Sequence, residues 1–227
     1  MFRKITSYNN LNSTLNVPYT NRCKQFMTEK IRNYILNASP LQWIEYAQEL
    51  REASELIWKG SKKIKMHINF PKVQEKQGLS RVYFLNIGFS IENLLKGLLI
   101  SENPDYLKSG KISPDISSGH NLENLASKII SIEFNAKEIK FLKLLSRSLP
   151  NWSRYPIPKR WEINNEEEFI SSDLRKTFLE LWDKIGFKIY KMTKDGWKGP
   201  EKVTIDNWRD SYFEGSLNFE LPTKSNK

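Results

Sequence analysis

The stretch that most constrains the fold is LSRVYFLNIGFSIENLLKGLLIS, residues 79–101, in which leucine, isoleucine and phenylalanine dominate. Its apolar spacing predicts one long helix that ends just before Pro104, because the residue before a proline is disfavoured in the α region. On a helical wheel Glu92 falls inside the apolar arc. A buried carboxylate without a partner costs several kcal/mol or takes up a proton, so Glu92 is expected to have partners.

Two residues are the expected partners of Glu92. Lys96 lies one turn later on the same side of the helix, in the favourable Glu-then-Lys order. His120, in SSGHNLENL, follows Gly119 and begins the next predicted helix, so its imidazole can reach Glu92 if the two helices are antiparallel neighbours. Two interpretations stay open. The cluster either fixes the register of the helices or forms a functional site that Arg154 or Tyr155 completes.

The remaining periodicity predicts an all-α fold: a bundle of four to five helices with N- and C-terminal extensions. The loop around residues 103–119, with two prolines and two glycines, is predicted to connect helices without packing into the core. Besides residues 79–101, the helices are expected at about 21–37, 40–60, from 120 or 121, 135–149 and 172–192.

Three regions are predicted along the chain. Residues 1–38 form an N-terminal extension with a peripheral helix, residues 39–192 form the helical-bundle domain, and residues 193–227 form a C-terminal tail. The tail holds Trp197 and Trp208 among other aromatic residues, so we expect it to dock on the bundle.

Two of the helix starts have capping signals. Ser39 is followed by Pro40 and Gln42, and Asn135 is followed three residues later by Glu138. Both patterns are typical of a capping box, in which the two side chains satisfy backbone N–H groups at the start of a helix.

The composition limits the classes of function. The formal net charge of +10 favours an anionic partner, although a solvated lysine surface explains it equally well. The single cysteine, Cys23, excludes an internal disulfide and fits a reducing compartment. No apolar run is long enough to span a membrane and no signal peptide is recognisable, so a cytoplasmic protein without membrane contact is expected.

The sequence also lacks the motifs of common cofactor sites. Two histidines and one cysteine make a zinc site improbable, and no EF-hand spacing occurs. No glycine-rich phosphate-binding loop is present either. We therefore expect no metal and no cofactor.

Two basic segments are candidates for RNA binding. KGSKKIK, residues 59–65, contains Lys62, Lys63 and Lys65, although a run of charge is more often a solvated face. SRYPIPKRW, residues 153–161, alternates cations with aromatic rings that could stack on single-stranded RNA or simply pack under the loop. The residues of this second segment that we assign to RNA binding are Tyr155, Lys159 and Arg160, with Arg154 as a cation of the active site.

The order SIENLLKGLL, loop, GHNLENL resembles the second and third helices of HEPN domains, which are small all-helical proteins of bacterial toxin–antitoxin, phage-defence and RNA-processing systems. WSRYPIP is similar to a segment of bacterial proteins with this layout. The resemblance covers about residues 40–192. It implies a helical bundle that often forms a homodimer, acts on RNA, and has an antitoxin or another protein as partner.

The resemblance also implies an activity. Active HEPN members are metal-independent endoribonucleases with an R-x4-6-H motif, which this chain does not match; its nearest approximation is Lys62-x4-His67, at the end of a predicted basic helix. A divergent ribonuclease would use His120 as acid and base, Lys96 and Arg154 as phosphate-stabilising cations, and Glu92 to orient His120. The alternative is a catalytically inactive module for dimerisation or protein interaction.

Overall fold

The computed structural model describes residues 19–67, 73–155 and 168–206. Most of them are helical, as predicted; one short antiparallel hairpin joins α2 to α3 and a second follows α7. The α-helices are α1 Tyr19–Asn37, α2 Pro40–Gly60, α3 Ser80–Glu102, α4 Pro114–Ser117, α5 Leu122–Ser127, α6 Ala136–Ser148 and α7 Ser172–Thr193. The hairpins pair β1 Lys63–His67 with β2 Val73–Gln77, and β3 Trp197–Lys198 with β4 Thr204–Ile205.

Helix α3 is the centre of the fold. It packs against α2, α5, α6 and α7, so its apolar residues are buried on nearly every side. This environment explains why the stretch has apolar residues around most of the helix and not along one narrow stripe. Residues on α3 that are almost fully enclosed include Tyr83, Phe84, Ile87, Ile91, Leu94, Leu95, Leu98 and Leu99.

A buried hydrogen-bond chain joins three of these helices. The Ser90 hydroxyl of α3 donates to the Ala47 carbonyl of α2 at 2.7 Å. The same oxygen accepts a hydrogen bond from Trp182 Nε1 of α7 at 3.0 Å. These two hydrogen bonds satisfy the polar atoms of Ser90 and Trp182 in the core and fix the positions of α2 and α7 relative to α3.

The two capping predictions have different outcomes. Asn135 and Glu138 form the complete capping box of α6, with side-chain to backbone distances of 2.9 and 2.8 Å. The prediction for α2 is wrong, since Ser39 makes no side-chain capping bond and Gln42 donates to Glu45 instead. Pro40 lies at the first helical position, as predicted, where the missing N–H has no cost.

The region after α2 is a hairpin, so His67 lies in a strand and not at the end of a basic helix, where the sequence had placed it. The chain leaves the α region at Ser61, and the following KIKMH forms β1, with Lys63 opposite Gln77 and His67 opposite Val73. KIKMH alternates between lysine or histidine and apolar residues, a period of two that is typical of a strand. Five residues are too few to distinguish this alternation from a basic helix end in the sequence alone.

The loop between α3 and α5 packs into the core, contrary to the prediction. It contains a 3₁₀ segment, Pro104–Gly110, and the single turn α4. Leu107 and Ile116 are fully enclosed. One well-placed apolar side chain is enough to anchor each short turn, although prolines and glycines dominate the composition of the loop.

The described part of the C-terminal region lies against the bundle. Trp197 and Val203 are buried, and Gly199 lies close to the Trp197 ring and to Ile35 of α1. The remaining aromatic residues of the predicted tail, Trp208 among them, lie outside the described residues, as do residues 1–18 of the predicted N-terminal extension. Among the helices described, none combines the length and apolar character needed to cross a membrane.

Candidate functional site

The buried carboxylate of Glu92 is the centre of a three-residue polar cluster. Glu92 is 5% exposed; its Oε1 lies 2.7 Å from Lys96 Nζ and its Oε2 lies 2.8 Å from His120 Nδ1. Both partners are the ones expected from the sequence. The carboxylate therefore bridges α3 and the start of α5.

Local structure explains how His120 reaches Glu92. Gly119 has a φ of +76°, a left-handed conformation that glycine adopts without strain, and it turns the chain just before the histidine. Asn121 then caps α5 by accepting a hydrogen bond from the Asn124 N–H at 2.9 Å. The imidazole packs edge-on against Phe89, with ring centroids 5.5 Å apart. The contact with Phe89 and the hydrogen bond to Glu92 together fix the orientation of the ring.

Lys96 belongs to the interior and not to the surface. The residue is buried, its ammonium is hydrogen-bonded to Glu92, and it lies 6.0 Å from the centre of the Trp43 ring. A buried ammonium needs a counter-charge, and Glu92 supplies it. Lys96 therefore balances the charge of the carboxylate that holds His120.

The contact with Glu92 selects one form of the His120 ring. An ionised carboxylate only accepts hydrogen bonds, so Nδ1 must carry the proton that it donates to Glu92. In the neutral ring Nε2 then has the lone pair. The side chain is 30% exposed, and Nε2 is the nitrogen left for a ligand.

His120 lines a surface pocket of about 670 Å³ between α5 and α6. Three cations of α6, Lys140, Lys143 and Arg147, line it as well. They lie at positions i, i+3 and i+7 and thus on one face of the helix. Glu123 is the single acid in the lining, and its carboxylate is 3.2 Å from Lys143. The pocket therefore has a positive balance and suits an anionic ligand.

The Ser146 hydroxyl joins the two walls of this pocket. It accepts a hydrogen bond from the Leu122 N–H at the start of α5 at 2.9 Å. It also donates to the Leu142 carbonyl of its own helix at 2.8 Å. The cations of α6 are therefore held at a fixed position relative to His120.

Other predicted site residues lie elsewhere. Arg154 is exposed and its guanidinium lies 5.6 Å from the centre of the Tyr155 ring, but neither residue lines the His120 pocket. Lys62 precedes the β1–β2 hairpin and Lys63 and Lys65 lie on β1; all three are exposed and outside that lining. Lys159 and Arg160 lie outside the described residues, and His67 lies in β1.

The cations of α6 were missed from the sequence. Their signal is a basic stripe at helical spacing in KEIKFLKLLSR, opposite the apolar residues that face the core. A helical wheel of residues 136–148 would have placed Lys140 and Arg147 on one face. It could not have placed that face beside His120, because the pairing of α5 with α6 is a tertiary contact.

A metal site requires several acidic or other metal-ligating side chains close together. In the ranges that the structure covers, no group of three or more histidine, cysteine, aspartate or glutamate side chains is placed to hold a metal ion. The chemistry that these residues can supply is proton transfer by His120 and charge stabilisation by the cations of α6.

Comparison of the chain with protein-family models, with curated proteins and with solved structures found no match. Function must therefore be argued from the geometry of the pocket. Its two chemical features are an oriented imidazole and an adjacent row of cations.

Proposed function

We propose that the protein binds RNA at the His120 pocket and acts on it there as a divergent, metal-independent endoribonuclease. The observation that carries the proposal is the position of His120. Its Nδ1 is held by a buried carboxylate, and its ring opens into a pocket with Lys140 and Arg147. An oriented histidine beside fixed cations suits a phosphodiester, because one group moves the proton and the others stabilise charge on phosphate oxygens.

Each residue has one role in the proposed reaction. Nε2 of His120 takes the proton of a ribose 2′-hydroxyl, whose oxygen attacks the neighbouring phosphorus. The new bond from the 2′-oxygen to phosphorus forms as the bond to the 5′-oxygen breaks, and the leaving oxygen recovers the proton from Nε2. The products are a 2′,3′-cyclic phosphate and a 5′-hydroxyl. Glu92 stabilises the transient imidazolium, while Lys140 and Arg147 contact the phosphate.

This assignment changes the roles given to two cations. Lys96 is buried against Glu92, so it acts as a positioning residue and not as a phosphate ligand. Arg154 lies outside the pocket lining, and Arg147 takes its place. Arginine can grip a phosphate through two parallel N–H groups, which a lysine cannot do.

A HEPN-like bundle in a bacterial defence or toxin–antitoxin system is the setting that we propose for this activity. The mostly helical fold supports it, together with the contact between the SIENLLKGLL and GHNLENL segments through Glu92 and His120. Because the chain lacks the R-x4-6-H motif, it would be a divergent member of the HEPN family. In the proposed site, Arg147 supplies the guanidinium from another helix.

Binding is tested with a fluorescein-labelled single-stranded RNA by anisotropy over a range of salt concentrations. We expect Lys140→Ala/Arg147→Ala to weaken binding about tenfold or more and to lower the salt slope by about 1.4, since two phosphate contacts to a single strand are lost. Lys137→Ala/Lys176→Ala is the matched control. It removes two exposed lysines outside the pocket lining and should leave both values close to those of the native chain. Equal losses of RNA affinity in the two variants would contradict RNA binding at the His120 pocket.

Cleavage is tested on the same RNA in EDTA. We expect His120→Ala to slow cleavage by about 10²-fold or more, because the acid and base is removed. RNA binding should fall much less. Equal cleavage by the native chain and His120→Ala would exclude His120 from the mechanism.

The second candidate function is a catalytically inactive module that dimerises or holds a partner protein. A specific observation favours it: three apolar side chains around the β1–β2 hairpin and the start of α3 are exposed, Ile64 by 44%, Leu79 by 53% and Val82 by 46%. Apolar side chains that lie exposed next to one another often mark a surface that binds another protein.

The interaction candidate makes a different prediction. Val82→Asp would convert a dimer to a monomer in sedimentation analysis while leaving RNA binding unchanged. A native chain that is monomeric at all accessible concentrations would reject homodimerisation through this surface.

A further inference from the structure

A second cavity of about 280 Å³ lies where the end of α1 and the start of α2 meet α3. No residue of its lining carries a formal charge, in contrast to the His120 pocket. The lining combines aromatic rings with side-chain amides, and these are Tyr34, Trp43, Tyr46, Asn37, Gln42 and Asn93. We refer to it as the aromatic groove.

The aromatic rings of this groove offer a fixed and accessible stacking surface. Trp43 Nε1 donates to the Ala38 carbonyl at 3.0 Å, which fixes the indole ring. Gly97 of α3 lets α2 approach closely here, because a Cβ atom at position 97 would lie 3.0 Å from Trp43 Cβ. Tyr46 lies three residues after Trp43, on the same side of α2, and is 54% exposed. A planar ligand can therefore contact a ring that is not covered by protein.

The amides supply directional contacts. Asn93 Nδ2 donates to the Phe89 carbonyl at 2.7 Å, and Gln42 Nε2 donates to Glu45 at 2.9 Å. Asn93 and Gln42 each use one N–H group in this way, and among the residues that the structure describes the side-chain carbonyl oxygen of each remains available to accept a hydrogen bond from a ligand. Amides of this kind recognise the donor and acceptor edges of nucleobases.

We propose that the aromatic groove binds one nucleobase, stacked on Tyr46 and Trp43 with its edge hydrogen-bonded to the amides. An aliphatic ligand would leave the amides without partners, and a charged ligand would find no counter-charge in the lining. The volume is just below that of pockets for drug-sized ligands, which fits a single nucleoside. The inference rests on the proposed function only in taking the base to be part of an RNA.

The groove and the His120 pocket are connected through α3. Asn93 lines the groove, and the neighbouring residue Glu92 holds His120. Lys96 lies between Glu92 and the ring of Trp43. One strand of RNA could thus place a base and a phosphate on the same structural unit.

The test uses free nucleosides, which carry no phosphate. Adenosine, guanosine, cytidine and uridine are titrated into the native chain by isothermal calorimetry, and N-acetyl-tyrosinamide is the competing aromatic probe. We expect saturable binding of at least one nucleoside and a loss of about 5- to 150-fold in Tyr46→Ala, the range for removal of one stacking ring. Leu56→Ala, which removes an exposed apolar side chain of the same helix outside the groove lining, should stay within about twofold of the native value.

The outcomes separate this proposal from the proposed function. Lys140→Ala/Arg147→Ala should bind nucleosides as the native chain does, because those cations do not line the groove. Absence of saturable nucleoside binding, or equal binding by Tyr46→Ala, would overturn the proposal even if RNA binding at the His120 pocket is upheld. Tighter binding of N-acetyl-tyrosinamide than of any nucleoside would also overturn it, in favour of a peptide site.

Discussion

Leu149 occupies the space that a side chain at Gly88 would need: a Cβ atom at position 88 would lie 2.7 Å from Leu149 Cδ2 and 2.9 Å from its Cγ. Leu149 is fully enclosed, so it has no room to move aside. Gly88 is thus required at the contact between α3 and the end of α6.

Gly88→Ala should lower the free energy of unfolding by about 1–3 kcal/mol, the usual cost of overpacking a core. The better helix propensity of alanine offsets up to about 1 kcal/mol of it. Urea unfolding followed by circular dichroism measures the change. Gly60→Ala is the matched control, since nothing lies within 4 Å of a Cβ atom there, and its stability should be unchanged or slightly higher. Equal stability of the two variants would contradict the requirement for glycine at position 88.

Glu92→Gln should destabilise the protein strongly. It leaves the buried ammonium of Lys96 without a counter-charge, and breaking such a pair costs about 3–5 kcal/mol. Adding Lys96→Met should recover part of the loss, because the unpaired charge is then gone. A double-mutant cycle by urea unfolding measures the coupling energy. Losses that simply add would contradict a direct pairing of the two charges.

His120 should be protonated on Nδ1 in its neutral form, because it donates to the Glu92 carboxylate. Nitrogen-15 NMR at alkaline pH distinguishes the two ring nitrogens by their chemical shifts and couplings. We expect Nδ1 to carry the proton and Nε2 to be bare. In Glu92→Gln this preference should weaken, since an amide can donate as well as accept. A native ring with the proton on Nε2 would contradict the proposed reaction.

Tyr83 should make stability fall at alkaline pH. Burial raises the pKa of its phenol above the ordinary value of 10.0, and the nearby Glu55 carboxylate raises the pKa further, while Arg175 opposes them. From about pH 10 the unfolded chain releases this proton and the folded chain retains it, so stability falls as pH rises toward the folded pKa. In Tyr83→Phe the decline should be shallower when urea unfolding is compared at pH 7 and above pH 10.

The same substitution should not weaken the protein at pH 7. Among the residues that the structure describes, the enclosed hydroxyl of Tyr83 has no hydrogen-bond partner, and removing such an orphan group gains about 1 kcal/mol. Tyr46→Phe is the control, because its side chain is exposed and a surface change should stay within about 0.5 kcal/mol. A marked loss of stability in Tyr83→Phe at pH 7 would indicate a partner for the hydroxyl.

Sequence patterns predicted the helices and the buried cluster because both depend on local spacing. The period of the apolar residues placed α2, α3 and α7 to within a residue or so, and the wheel placed Glu92 and Lys96 together. The contact with His120 needed one tertiary assumption, that α3 and α5 are neighbours. This assumption is correct because the turn at Gly119 and the cap at Asn121 direct the chain past Glu92.

What the sequence could not supply was the environment of polar residues. Lys140 and Arg147 resemble any solvated lysine or arginine until α5 closes the pocket beside them. The strand at residues 63–67 was missed because its stability comes from pairing with β2 and not from its own composition. Ser39 had the right residue type for a cap, but its side chain makes no such bond.

Two consecutive residues of α3 serve the two cavities: Glu92 holds His120 of the His120 pocket, and Asn93 lines the aromatic groove. Inserting or deleting a single residue before this point would rotate everything after it by about 100° and detach both cavities at once. In homologous proteins we expect the side chains of α3 to vary, whereas the number of residues in this helix should be nearly invariant.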